Sequence, residues 1–176
     1  MTEVAIHESG HAMMFDALGA PIEFVTIIEG CCGERPSFEG CVKLQRERNP
    51  AYVVLAGTLA GPGASFFIAG VVPNEGAIEK YQSDQKVLQQ IHRDQKDAGT
   101  YEEFWLRLNQ FLSVWMRSWL VNRKHVILRF ANLLQAADTL HGDELRRALE
   151  SAWASSKPDV QNFQKEVQDA LRQSLE

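Results

Sequence analysis

The chain has 176 residues, 18 Lys plus Arg against 23 Asp plus Glu, and a formal net charge of −5 at pH 7. That length fits a single domain over residues 1–176 and excludes a large multidomain machine, while 45% hydrophobic residues with 9 Phe and 4 Trp exclude disorder along most of it. No long basic run is present, so the expected partners do not include nucleic acid.

Residues 2–17 read as a helix, because Val4, His7, His11, Met14 and Phe15 recur at three- and four-residue steps until Gly19-Ala20-Pro21 ends the pattern. Inside it, His7-Glu8-Ser9-Gly10-His11 is an HExxH pattern. A separation of four puts both imidazoles on one face, where they can share a Zn²⁺, and Glu8 can address a water on the metal. The bland alternative is a chance pair of helix histidines. Deciding between them requires a third ligand, and by chemistry alone Asp84, Asp94, Asp97, Glu79, Glu75 and His92 all compete for that place.

Phe24-Val25-Thr26-Ile27-Ile28 is β-branched and aromatic and reads as a strand, whose edge is expected to hydrogen-bond an extended substrate. A turn-rich segment, 30–40, separates it from residues 41–44, which can pair back as a second strand. Cys31, Cys32 and Cys41 form neither a CxxC pair nor an even set, so free thiols in a reducing compartment are expected. No basic n-region followed by an apolar h-region opens the chain, which agrees with a cytoplasmic location.

Residues 49–74 carry no formal charge and are long enough to cross about 30 Å of hydrocarbon. Gly61-Pro62-Gly63 is expected to split them into two buried helical segments, 51–60 and 64–69, so no membrane span is expected. After a loop at 71–76, a helix is expected over 83–95 with Val87, Leu88 and Ile91 inward. Thr100 and Glu103 form a capping-box pattern, opening a helix whose Phe104, Leu108, Phe111, Trp115 and Trp119 mark a core face. Helices follow over 123–137 and 143–154, the latter with Leu145 and Leu149 inward. The polar tail, 158–176, carries Val160, Phe163, Val167 and Leu171 as an apolar stripe for the domain or for a second copy. The expected fold class is therefore mostly α-helical, α+β with a minor β element, with a core over about 1–154.

Val4-Ala5-Ile6-His7-Glu8-Ser9-Gly10-His11-Ala12 resembles the zinc-binding helix in the peptidase domain of the FtsH family of ATP-dependent proteases. Val25-Thr26-Ile27 resembles the strand that follows it there, and Ala56-Gly57-Thr58-Leu59-Ala60 its glycine- and alanine-rich helix. Leu133-Leu134 and Thr139-Leu140-His141-Gly142-Asp143-Glu144-Leu145 are similar to its C-terminal helices, so the likeness runs over roughly residues 3–150. It implies an FtsH peptidase-like helical fold with a short N-terminal β-hairpin or small sheet. In that family the third zinc ligand is an aspartate in a Ser/Asn-Asp context opening a helix, and Ser83-Asp84 resembles it. The family's glycine-alanine helix continues into Ala-Glu, where this chain has Gly61-Pro62-Gly63. Its ATPase module and membrane anchor have no counterpart in these 176 residues.

The expectation is a hydrolase, a zinc metallopeptidase with His7, His11 and Asp84 as metal ligands and Glu8 as the catalytic base. Its partners would be short peptides or unfolded protein as substrate, since nothing in the chain supplies mechanical work, with room for a homo-oligomer or a separate ATPase. The alternatives are a non-catalytic interaction protein that keeps the metallopeptidase-like fold, and a histidine-held zinc serving another hydrolysis.

Overall fold

The structure, a computed structural model, describes residues 1–28, 40–45, 49–72, 82–95 and 99–175. Helix α1, Glu3–Ala17, starts where the Thr2 hydroxyl accepts the Ala5 amide at 3.3 Å, with Glu3 favouring the positive end of the helix dipole. From Ala5 to Phe15 every residue is buried, so α1 is the central helix of the core and not a surface helix with one inward face. Helix α2, Ala51–Ala64, packs directly on it. The two backbones approach closely at Gly10, where a Cβ would stand 2.4 Å from the Ala60 carbonyl oxygen. No larger residue permits this crossing, and the crossing is what brings α2 within reach of the α1 histidines.

The expected break in α2 does not occur. The helix runs through Gly61-Pro62-Gly63 and continues as a π-turn, Ser65–Ala69. Proline costs an interior helix one backbone bond, and here packing on α1 outweighs that cost. Over Ala51–Ala69 the combined helix is long and apolar enough to cross a membrane, but 61% of its most apolar window is buried inside the protein. A core helix passes the same test of length and composition.

A small antiparallel sheet lies beside α1 in the order β2-β1-β3, with β1 at Ile22–Thr26, β2 at Cys41–Leu44 and β3 at Thr139–His141. Thr26 pairs with Cys41 on one side and Thr139 on the other, and the two threonine hydroxyls lie 2.7 Å apart. Because β1 has partners on both sides, the expected substrate edge at residues 24–28 is not available. The strand β3 was not legible as one, being three residues long within a helix-like context.

Helix α3, Gln82–Asp94, carries Leu88 and Ile91 into the core but leaves Val87 38% exposed, against expectation. Helix α4, Tyr101–Phe111, opens with both bonds of the Thr100–Glu103 capping box and continues through a second π-turn, Leu112–Met116, into α5, Arg117–Asn122. Phe104, Leu108, Phe111 and Trp119 are buried as expected, and Trp115 is partly buried and stacks on Phe111. Helices α6, Lys124–Ala137, and α7, Gly142–Trp153, flank β3. Asp16 at the end of α1 accepts a hydrogen bond from the Trp153 indole at 2.7 Å and pairs with Lys157 at 2.8 Å. Helix α8, Val160–Leu175, buries Phe163, Val167 and Leu171, so the apolar stripe of the tail is used within the chain.

One expectation about cysteine is corrected. Cys41 is disulfide-bonded, its partner lying outside the described residues, so the free-thiol argument for a reducing compartment does not hold for it. Cys31 and Cys32 themselves, with segment 30–39, lie outside the described residues.

Candidate metal centre

His7 and His11 lie one turn apart on α1, 4% and 6% exposed, with their rings edge to face. Asp84, in the first turn of α3, comes to meet them from a different part of the chain. Its carboxylate oxygens stand 3.3 Å from His7 Nε2 and 3.4 Å from His11 Nε2, and the two Nε2 atoms are 3.0 Å apart. Donors bound about 2.0–2.1 Å from a tetrahedral zinc would lie about 3.3 Å from one another, so these three side chains are spaced as one ion requires. Among the described residues this is the group of His, Cys, Asp and Glu that could hold a metal ion.

The outer ring nitrogens fix how the inner ones face. His11 Nδ1 lies 2.8 Å from the Gly57 carbonyl oxygen, which can only accept, so Nδ1 carries a proton. His7 Nδ1 lies 3.2 Å from Ser65 Oγ, the first residue of the π-turn. Partners of this kind on the outer nitrogen hold a ligating imidazole in its tautomer and orientation. Gly61 completes the seat of His11: a Cβ there would stand 2.1 Å from Nε2 and 2.4 Å from Cε1. No side chain fits beside the ring at this position, which is why glycine stands there.

The electrostatics fit a cation site. Burial alone would lower the pKa of His11, but attraction to the Asp84 carboxylate outweighs it and holds the imidazolium up to about 9. His7 goes the other way, pushed below its ordinary value first by burial and then by the charge on His11. Burial would raise Asp84, yet the charge on His11 and hydrogen bonds from both histidines hold its carboxyl well below the usual range. In the metal-free protein one proton thus occupies the cluster where a divalent cation fits.

Glu8 is buried at 2% exposure, next to His7 in sequence and near enough that its charge helps to raise His11. The backbone at Gly40, just ahead of β2, lies over its side chain. The rival third ligands separate as follows. Asp94 accepts a hydrogen bond from Gln90 at the exposed end of α3. His92 turns its Nε2 to the Gly99 carbonyl and its ring to Tyr101 and Phe104. Glu75, Glu79 and Asp97 lie outside the described residues.

Sequence reasoning missed Ser65 and the Gly57 carbonyl. The signal for Ser65 was present, since a hydroxyl in an uncharged buried run needs a partner, but nothing in the spacing pointed to His7, 58 residues away. No protein-family model matches the chain, and no curated protein matches it.

Proposed function

We propose that this chain is a zinc metallopeptidase that hydrolyses short or already unfolded polypeptides. The observation that carries the reading is the convergence of His7, His11 and Asp84 at ligand spacing beside a buried Glu8. His7, His11 and Asp84 would hold a zinc ion, which would supply Lewis acidity to activate water and polarise a substrate carbonyl.

The chain's own residues do the rest. Gly57 and Ser65 hold the outer ring nitrogens so that both Nε2 atoms face inward, and the ligand atoms are in place before metal arrives. Asp84 is ionised in advance and adds the negative charge that two neutral imidazoles lack. Glu8, on the same helix but one residue round from His7, acts as general base toward the attacking water and returns the proton to the leaving amine. An extended substrate would pair along β2 or β3, which among the described residues are the outer strands of the sheet.

The test is Glu8→Gln. The change nearly preserves shape and removes the base, so the variant should fold and hold zinc as the wild type does while cleavage of casein fragments falls at least a hundredfold. Equal cleavage by both proteins would assign the activity to another site or a contaminant. Zinc binding by both, with no cleavage by either across a broad peptide library, would favour the non-catalytic reading.

A further inference from the structure

From the geometry we infer that Ser65 is a positioning residue for the metal centre, accepting a hydrogen bond from His7 Nδ1 and so holding Nε2 toward the ion. The inference rests on the metallopeptidase reading and adds a residue that the HExxH pattern and Asp84 do not include. Three observations carry it.

Ser65 is fully buried, and its Oγ lies 3.2 Å from His7 Nδ1. When Nε2 of a neutral imidazole binds a metal, the ring proton sits on Nδ1, and a hydroxyl oxygen is then an acceptor. A buried helical serine commonly satisfies itself by bonding back along its own helix, as Ser9 does to the Ala5 carbonyl. Ser65 instead reaches across to another helix.

Its backbone is also held unusually well. The Ser65 carbonyl accepts the Gly70 amide, closing the π-turn, and the Val71 amide at 3.0 Å. A π-turn widens the helix by one residue and re-aims the side chain that opens it, and such turns recur at functional sites. Here the side chain that opens the turn is the one that meets His7. The pairing parallels His11, whose Nδ1 meets the Gly57 carbonyl two turns earlier on the same helix. One helix therefore orients both imidazoles, through a backbone group that mutation cannot remove and a hydroxyl that it can.

The experiment uses cobalt(II) as the probe, read by its visible d–d bands and by competition with a chelator, on the whole chain. Ser65→Ala should weaken cobalt binding by about 10–100-fold and shift the d–d bands, with the metal-free protein still folded and its melting temperature lowered by about 2–10 °C for the lost buried bond. Ser65→Thr and Ser65→Val form a second pair, alike in shape and differing in the hydroxyl, and the threonine should bind cobalt at least tenfold more tightly. Wild-type binding with undiminished affinity in Ser65→Ala, or equal affinity in the Thr and Val variants, would overturn the role of Ser65 alone. A wild-type protein that binds no cobalt would overturn the metal reading and this assignment with it.

Discussion

At the residue scale, the metal centre combines a proton and a metal as alternatives. His11 is protonated up to about 9 because the Asp84 carboxylate faces it, whereas His7 and Asp84 carry no proton to lose near neutrality. The sign follows directly: zinc must displace the His11 proton below pH 9, so affinity rises about tenfold per pH unit from 6.5 toward 9 and then levels. Calorimetric titration at pH 7 in two buffers of different ionisation enthalpy should show about one proton released from His11 per zinc bound, plus any fraction released by ionisation of a zinc-bound water. A heat independent of the buffer would contradict the proton-metal exchange. The same residues show what sequence reveals. His7, Glu8 and His11 were legible because an i, i+4 pair on a helix has geometric meaning without any knowledge of the fold. Asp84 had five rivals of equal chemistry, and only the resemblance of Ser83-Asp84 favoured it. Ser65 and Gly61 act through distances across two helices, which no local spacing encodes.

At the scale of elements, the helices expected over 2–17, 83–95, 123–137 and 143–154 are present to within about a residue, since burying one stripe leaves a repeating trace. The errors have physical sources. The Gly-Pro-Gly read as a break because local propensity opposes helix there, yet α2 continues since its small residues let α1 approach at Gly10. Strand β1 read as an edge because half of its environment, β3, comes from more than 110 residues later. Helix α3 matters most for the site: it carries Asp84 and is anchored by Leu88 and Ile91. Leu88→Ala should cost about 2–5 kcal/mol of stability and, by loosening α3, weaken zinc binding as well. Thermal melts with and without zinc, paired with competition by a chelator, measure both effects. A destabilised variant with wild-type zinc affinity would show that α3 does not need this anchor to present Asp84.

At the scale of the whole molecule, one core centred on α1 explains the order of the parts. The sheet and α6 flank α1, α2 supplies the partners of its histidines, and α8 covers α4 and α2 through Phe163, Val167 and Leu171. The helix over Ala51–Ala69 is apolar because it is interior to this arrangement, with 61% of its window buried. We therefore propose that it serves as a core helix. The chain expressed without a fusion should fractionate free of membranes without detergent, and recovery from the membrane pellet only with detergent would reverse that assignment.

The most direct test is zinc content, measured by elemental analysis of the wild type beside His7→Ala, His11→Ala and Asp84→Ala, all purified without chelator. About one zinc per wild-type chain is expected, with little or none retained in each variant and helical circular dichroism preserved. Equal zinc in all four proteins, or none in the wild type after incubation with excess metal, would contradict a metal centre built from these three residues.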